Sequence, residues 1–548
     1  MGKRGRARGT VAAVVAAAGA LRAGSGGPGA DDVLTASNRR ARGVLEQAVA
    51  AHGGEKALRS LRTLRMEEEG VSYMLHHGPV PGRPLAGRRG GGLTQLDFER
   101  GRGCHAPALF THSDTDRLAD MTYVWHPRTI VGDGQVVRLD QWAQTRAAPR
   151  QGDLEELKDQ QRALPTRWLL EALDAAHTLT PVSAGAGAGA GDELVAMTAA
   201  DGRAVALRFD RGTRLLAAVE ARSVHPVDGD TRTVTEFSDY RRTGGVMLAA
   251  RRVVRRGRDV LRDGRARTLE VDRPLDESCF QVPEDFEERV SGERPPAGPV
   301  RLGDGVFLLQ GLGGSYNALA VLFDSFAMVV EAPENEPGTA TTRQALAMLG
   351  EVAAGRPLRY LAFTHFHLDH AGGIRDYVAE GVTVVTTPAN RSWIEEAVRA
   401  PFTIVPDRLA RAPRAPKIEV FEGRRHVIEE AGQRVEIHVV PWDHAREEAF
   451  FYLPRQRLVF EGDLFAAGHG DVPVAQGSAA LLEARIRELG LDVETIVGVH
   501  GSPRPWSDLG KALEKRRRRL GMTEADRDPA PSRDGSVERE RQPSPAPG

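Results

Sequence analysis

A cluster of metal-binding residue types in residues 361–373 constrains the fold more than any other feature of the sequence. The segment reads Leu-Ala-Phe-Thr-His-Phe-His-Leu-Asp-His-Ala-Gly-Gly, and it contains His365, His367, Asp369 and His370. Only 16 of the 548 residues are histidine, so chance does not account for such a cluster. Imidazole nitrogen and carboxylate oxygen are the ligands that hydrolytic zinc sites use.

The spacing of these residues predicts a strand that is followed by a turn. Residues 359–363 form a short apolar run that is typical of a buried strand. Side chains alternate along an extended segment, so His365 and His367 point the same way and can share one metal. Asp369 and His370 come where the chain turns, before a pair of glycines, and can face a second metal. A helical zinc motif would instead place two histidines four residues apart with a glutamate between them.

This stretch resembles the HxHxDH motif of the metallo-β-lactamase superfamily. That family has three further ligands downstream, which are a lone histidine, an aspartate that bridges the metals and a last histidine. Candidates follow in that order, each near the end of an apolar run: His444, Asp463 and His500. The resemblance covers residues 298–510 and implies an αββα sandwich with metals at one edge.

The resemblance implies a role for each of these seven residues. The ligands of metal 1 would be His365, His367 and His444. The ligands of metal 2 would be Asp369, His370 and His500, with Asp463 bridging the two metals. The implied cofactor is Zn²⁺, two per chain, with iron or manganese as alternatives. A hydroxide shared by the two zincs would attack an ester, lactone or cyclic amide carbonyl, and Asp369 would also orient this nucleophile.

Two features indicate which branch of the superfamily is nearest. Asp463 stands where the common β-lactamase class carries cysteine, so it favours glyoxalase II-like or lactonase-like enzymes. In the family, the third metal histidine is usually followed by Ser or Thr and then Gly, whereas here Ala-Arg-Glu follows His444. The groups that orient this ligand are therefore expected to differ. An iron-dependent sulfur dioxygenase shares the HxHxDH motif and stays open as an alternative.

The length of the chain and its N-terminus bear on organisation and location. A chain of 548 residues predicts two domains with flanking segments. Residues 1–30 have a basic start and an apolar run at 11–21, which is typical of a signal peptide and predicts a periplasmic or secreted protein. A cytoplasmic location stays open. The run at 11–21 is too short to span a membrane and no later apolar run is long enough, and a net charge of −1 gives no drive toward nucleic acid.

Residues 31–286 are predicted to form a helical segment followed by a mainly antiparallel β domain. Apolar residues recur at helical spacing over 37–62, with a break at a Gly-Gly pair, and again over 152–178. β-like runs with turn signals between several of them lie at 123–125, 136–139, 204–209, 215–219, 233–237 and 246–248. This order resembles lipoprotein-carrier-like domains of bacterial envelopes, which implies a surface for a lipid or protein partner. A binding protein with an accessory metal domain is therefore the alternative function.

The rest of the chain divides at its composition changes. A linker is predicted at 287–299, a layered α+β domain at 300–510 and a charged, Pro-rich disordered tail at 511–548. The family resemblance implies that the layered domain is a hydrolase with a small-molecule substrate. Two cysteines are too few for a disulfide framework, and the sequence leaves open whether Cys104 and Cys279 pair. His438 and His469 lack the context of a ligand and are predicted to be structural. The sequence does not fix the oligomeric state.

Overall fold

The computed structural model describes residues 30–73, 75–82, 87–109, 128–132, 135–140, 145–147, 164–182, 192–282, 284, 287–288, 296–334, 340–442 and 444–521. The predicted signal peptide up to residue 29, the predicted strand at 123–125 and the predicted tail beyond residue 521 lie outside these residues. Within the described ranges, each helix lacks either the length or the apolar character that crossing a bilayer requires.

The first part of the chain forms one large sheet, here called the N-terminal sheet. Its strands are β1 Thr63–Tyr73, β2 Gly87–Asp97, β3 Arg102–Leu109, β4 Arg128–Gly132, β5 Gln135–Asp140, β6 Thr145–Ala147, β7 Thr180–Val182, β8 Glu193–Thr198, β9 Ala204–Phe209, β10 Leu216–His225, β11 Gly229–Thr243, β12 Val246–Arg256, β13 Asp259–Val271 and β14 Glu287–Glu288. Strands that follow one another from β1 to β6 and from β7 to β13 pair antiparallel, and β1 pairs with β13 to join the two meanders. The prediction of a mainly antiparallel domain is confirmed.

Helices cover one side of the N-terminal sheet. They are α1 Ala30–Ala51, α2 Glu55–Arg59 and α3 Pro165–Asp174. Leu45 and Leu169 are buried in one apolar cluster with strand residues such as Leu207, so apolar spacing turns one face of each helix to the sheet. The predicted break between the first two helices occurs at Gly53 and Gly54, whose φ angles of 117° and 88° suit glycine. A disulfide joins Cys104 on β3 to Cys279.

The second part of the chain forms two stacked sheets, here called the C-terminal sandwich. The first sheet contains β15 Gly298–Gly303, β16 Val306–Leu312, β17 Tyr316–Leu322, β18 Ala327–Val330, β19 Leu358–Ala362, β20 Thr383–Thr386 and β21 Lys417–Val420, in that order. The second contains β22 Arg425–Glu430, β23 Gln433–Val440, β24 Glu448–Leu453, β25 Leu458–Glu461, β26 Thr495–Gly498 and β27 Arg504–Pro505, also in chain order. Helices α4 Thr341–Val352, α5 Leu368–Ala371, α6 Ile374–Glu380, α7 Arg391–Arg399 and α8 Arg408–Arg411 accompany the first sheet, and α9 Ser478–Glu488 and α10 Ser507–Leu520 accompany the second.

Alternation along the strands separates the cores of the sandwich. On β18, Met328 and Val330 belong to the core between the two sheets, whereas Ala327 and Val329 belong to the core beneath the helices. This follows because successive side chains of a strand point to opposite faces, so a strand buried on both faces is apolar throughout. The predicted αββα sandwich is confirmed, with helices on both outer faces.

Two predicted boundaries differ from the structure. Residues 511–520, predicted as the start of a disordered tail, belong to α10, because Leu509, Ala512 and Leu513 recur at helical spacing and are buried against the second sheet. The run of arginines in this helix hid that pattern. The segment predicted as a linker, residues 287–299, is shorter in the structure. Its first end contains β14, which pairs with β6, and its last two residues belong to β15.

Candidate metal centre

The seven predicted ligand residues come from segments that follow strands of the C-terminal sandwich. His365 and His367 follow β19, and Asp369 and His370 lie on α5. His444 follows β23, Asp463 follows β25 and His500 follows β26. Open sheets bind ligands beyond the carboxyl ends of their strands, because loops from several strands converge there. Gly462 permits this convergence, since an added Cβ would lie 2.4 Å from Thr364 Oγ1.

The structure brings all seven side chains into two adjoining groups. The first group is His365, His367, His444 and Asp463, and the second is Asp369, His370 and His500. Within the first, His365 Nε2 lies 3.0 Å from His367 Nδ1, as expected for two side chains that point the same way. Ligand atoms within each group lie within 4.8 Å of one another. The spacing therefore allows each group to hold one cation.

Asp463 lies between the two groups and turns one oxygen to each. Its Oδ2 lies 2.9 Å from His444 Nε2. Its Oδ1 lies 3.2 Å from His370 Nε2 and 3.1 Å from His500 Nε2. A carboxylate with this division of its oxygens has the arrangement of a bridging ligand.

Several atoms that face the centre of the cluster lack hydrogen bonds. In the part of the chain that the structure describes, four buried atoms make no well-aligned hydrogen bond, although the three nitrogens among them lie 2.9–3.2 Å from oxygens of Asp463: Asp369 Oδ1, His370 Nε2, His444 Nε2 and His500 Nε2. Buried polar atoms are almost always paired, so unpaired ones that converge on one point require an explanation. Cations between them would satisfy all four, and the donor set of imidazole and carboxylate suits Zn²⁺, Fe or Mn²⁺.

The outward nitrogen of His370 is held by a group that the sequence interpretation missed. His370 Nδ1 donates to Glu331 Oε2 over 3.1 Å, and the other oxygen of Glu331 accepts the backbone N–H of Thr364 at 2.8 Å. Glu331 is fully buried and has a φ of 84°, a strained value for a residue with a side chain. Metal-binding histidines characteristically donate their second nitrogen to such a carboxylate. The available signal was a charged residue directly after the apolar strand β18, which runs beside β19.

The carboxylates set the protonation of the second group. Burial would lower the pKa of His370, but the charges of Asp369, Asp463 and Glu331 raise it well above its ordinary value. Burial would raise the pKa of Asp463, but the positive charge of His370 and the nearby rings of His444 and His500 hold it well below its ordinary value. Without a metal, a proton on His370 therefore takes the place of a cation.

Two histidines of the first group behave in the opposite way, whereas burial would lower the pKa of the third, His444, but the Asp463 carboxylate raises it. Burial, together with the neighbouring charges of His370 and His367, holds the pKa of His365 well below its ordinary value. Burial and the charge of His444 do the same to the pKa of His367. Both rings are therefore neutral, which is the form of histidine that binds a metal.

Two further buried glutamates support Asp463 from the strands beside it. Glu448 accepts the backbone N–H of Asp463 at 3.1 Å, and Glu461 accepts that of Phe465 at 2.9 Å. Burial raises the pKa of Glu448 to about 8 and that of Glu461 well above its ordinary value. Both carboxyls are therefore neutral near pH 7 and add no negative charge beside Asp463.

The structure also shows where the two histidines predicted to be structural lie. His438 contacts Glu436 at 3.1 Å and stacks on Phe450. His469 contacts Ser502 at 2.8 Å. Neither belongs to a group of candidate ligands among the described residues. A further cluster of His76, His225 and Asp228 lies on the N-terminal sheet and was not predicted.

Comparisons with known proteins agree with the class of site and fold described above. Residues 336–500 match the family model of the metallo-beta-lactamase superfamily, which confirms the resemblance of this segment. No curated protein matches the chain.

Solved structures also resemble part of the chain. A metallo-beta-lactamase from Pontibacter korlensis is 17% identical with a TM-score of 0.30, and the match covers 40% of this chain and 98% of that one. One from Hirschia baltica is 18% identical with a TM-score of 0.30, covering 40% and 98%. The sec-alkylsulfatase Pisa1 from Pseudomonas sp. is 15% identical with a TM-score of 0.31, and the match spans 41% of this chain and 42% of the sulfatase. The assignment of the segment therefore depends on the family model.

Proposed function

We propose that this protein is a hydrolase that uses two divalent metal ions, with Zn²⁺ as the expected metal, to cleave an ester, lactone or cyclic amide. The first metal would be held by His365, His367 and His444. The second would be held by Asp369, His370 and His500, with Asp463 as the bridge. Two bound cations of this kind supply a hydroxide near neutral pH and stabilise the negative charge that develops on the substrate oxygen.

The division of the Asp463 oxygens is the observation that carries the proposal. One oxygen faces His444 at 2.9 Å and the other faces His370 and His500 at 3.2 and 3.1 Å. A site for a single metal would not need ligands on both sides of one carboxylate. The absence of a cysteine at this position favours an ester or lactone over the β-lactam substrate of the common class.

The residues of the chain perform the remaining work of the proposed reaction. Asp369 is buried with one oxygen unpaired among the described residues, so it can orient the attacking water as well as bind. Glu331 fixes the His370 ring through a hydrogen bond of 3.1 Å. Because its pKa is raised, Glu448 is neutral near pH 7 and does not repel the Asp463 carboxylate, which would bridge the two metals.

Metal content and turnover test this proposal together. Purified wild-type protein and an Asp463→Ala variant are compared by elemental analysis and by hydrolysis of a panel of lactones, esters and a chromogenic β-lactam. A His438→Gln variant is the matched control, because His438 is a buried strand histidine outside the cluster. We expect about two zincs per chain in the wild type and the control. In Asp463→Ala, both metal retention and hydrolysis should be lost.

Other results would redirect or overturn the proposal. About one iron per chain, without hydrolysis of the panel, would favour the sulfur dioxygenase. Protein without metal and without turnover would overturn the catalytic proposal and favour the envelope binding protein, in which the N-terminal sheet holds a lipid or protein partner. Full activity in Asp463→Ala would contradict the bridging role.

A further inference from the structure

A loop of the N-terminal sheet reaches the candidate metal centre. The loop comprises residues 75–82, between β1 and β2, and is here called the β1–β2 loop. The carbonyl oxygen of Gly78 lies 2.9 Å from His367 Nε2, and the ring of His77 lies 4.9 Å from the ring of His367. Farther along, the carbonyl of Pro79 accepts the backbone N–H of Arg446 at 2.8 Å. The loop therefore contacts the segments that carry two of the candidate ligands.

The contact at Gly78 has the geometry of a group that orients a ligand. His367 turns Nδ1 toward the cluster, where it lies 3.0 Å from His365 Nε2. Its other nitrogen, Nε2, faces outward and donates to the Gly78 carbonyl. A hydrogen bond of this kind fixes the tautomer so that the inward nitrogen is free to bind a metal. Glu331 does the same for His370, but from within the C-terminal sandwich.

Four side chains, here called the latch, hold the β1–β2 loop on the C-terminal sandwich: Trp393, His76, Asp228 and His225. Trp393 Nε1 donates to His76 Nδ1 at 3.0 Å, so neutral His76 carries its proton on Nε2. That nitrogen lies 2.9 Å from Asp228 Oδ1. The other oxygen of Asp228 lies 3.0 Å from His225 Nδ1. The latch thus ties α7 to the loop and to the turn between β10 and β11.

Little space is left between the β1–β2 loop and the metal centre. A cavity of about 10 Å³ lies beside His365 and Phe366, with Pro79, Val80 and Pro81 of the loop on its other side. This volume holds about one water molecule. Beside His365 and Phe366, the loop therefore leaves no room for a substrate larger than water.

We propose that the N-terminal sheet completes the active site: the β1–β2 loop, held by the latch, fixes the His367 imidazole through Gly78 and forms a wall of the substrate site with His77. This inference rests on the proposed function, because it assigns His367 as a metal ligand. Gly78, Trp393, His76 and Asp228 are positioning residues in this account. The N-terminal sheet is then needed for correct metal binding and not only for capture of a partner.

Release of the loop tests this inference with readouts other than turnover. Asp228→Ala removes the acceptor that holds His76, and Trp393→Phe removes the donor, which provides a second route if the first variant folds poorly. Asp230→Ala is the matched control, because Asp230 joins the same two parts of the molecule through Thr403 and Ile404 without touching the loop. Hydrogen exchange of residues 75–82, the absorption bands of bound Co²⁺ and the affinity for Co²⁺ are measured on each full-length protein.

We expect faster exchange of the β1–β2 loop in both latch variants, altered cobalt bands and an affinity for Co²⁺ that is weaker by about 10- to 100-fold. The control should match the wild type. If the β1–β2 loop exchanges faster but the cobalt bands and the Co²⁺ affinity do not change, this inference is overturned and the proposed function is not affected. Unchanged exchange in both latch variants would show that the latch does not hold the loop and would also overturn it. Wild-type protein that binds no Co²⁺ would instead overturn the proposed function.

Discussion

Among the described residues, the metal centre and the latch are both compact clusters of histidine and aspartate, but they differ in how their polar atoms are paired. In the latch, Trp393 occupies one nitrogen of His76, and Asp228 faces the other. In the metal centre, inward atoms such as His370 Nε2 and His444 Nε2 have no hydrogen-bond partner among the described residues. The polar atoms of His76 are paired by protons alone, whereas several inward atoms of the centre stay without a hydrogen bond and are free to bind cations.

The difference shows that residue type and proximity do not by themselves define a metal site. Both clusters contain ligand atoms within 4.8 Å of one another. A metal on His76 Nε2 would force the ring proton onto Nδ1, where the Trp393 N–H already points. In the metal centre, Glu331 accepts the proton on His370 Nδ1, the ring nitrogen that faces away from the cluster. The other ring nitrogen, Nε2, is therefore free to bind a metal. The outward hydrogen bonds therefore distinguish the two clusters.

Removal of one histidine from each cluster should give the largest contrast. We expect His444→Ala to bind about one zinc per chain at saturating zinc and to lose activity by more than about 100-fold, because loss of an orienting group alone costs 10- to 100-fold. His225→Ala should retain about two zincs, since the latch holds no metal. Elemental analysis after dialysis against zinc measures both. A loss of zinc in His225→Ala with retention in His444→Ala would reverse the assignment of the clusters.

A smaller effect is expected from Glu331→Gln. The amide keeps the size of the side chain but removes the charge that faces His370 Nδ1 at 3.1 Å. The second metal should then bind more weakly by about 10- to 100-fold, while the first is retained. Competition with a chelator measures the two affinities separately. Equal loss of affinity for both metals would argue that Glu331 acts through the fold instead of through His370. Glu430→Gln, on the surface, serves as the control.

The two clusters should also respond oppositely to pH in metal-free protein. The pKa of His370 is raised by Asp369, Asp463 and Glu331 despite burial, so its stabilising proton is fully present below the unfolded value of about 6.5 and is lost as pH rises through the folded pKa. Burial lowers the pKa of His225, so its contribution is fully present above about 6.5 and is lost as pH falls toward the folded pKa.

Hydrogen exchange between about pH 7.5 and 5.5, corrected for intrinsic rates, measures this contrast. We expect the β1–β2 loop to lose protection at the lower pH while the segment around His370 keeps it. Zinc affinity should rise with pH, because binding displaces the proton of His370. Protection of the loop that does not change with pH, together with zinc affinity that does not change, would contradict the pKa directions on which the comparison depends.

The sequence could indicate which residues come together as candidate ligands, because the signals for them are local. The spacing of His365, His367, Asp369 and His370 reflects a strand end and one helical turn, and the structure brings them together with His444, Asp463 and His500 as two adjoining groups. The layered architecture was predictable from the alternation of strands and helices along the chain, and the family resemblance implied its αββα form. Glu331 was missed although its position after β18 carried a usable signal.

The remaining features depend on contacts between distant parts of the chain. Gly78 contacts His367 across 289 positions, and nothing near Gly78 in the sequence indicates a metal centre. The disulfide closes a separation of 175 residues, and its two cysteines alone did not determine whether they pair. Residues 511–520 of α10 were predicted as tail, because the arginines of this segment mask a buried face formed by Leu509, Ala512 and Leu513.

Anomalous scattering from a crystal soaked in zinc, recorded at the zinc absorption edge, tests the central claim most directly. The account predicts two peaks on either side of the Asp463 carboxylate, about 3.5–4 Å apart, and no peak at His76, His225 and Asp228. A single peak at the latch, or the absence of any peak beside Asp463, would contradict the assignment of the metal centre and the hydrolase function that depends on it.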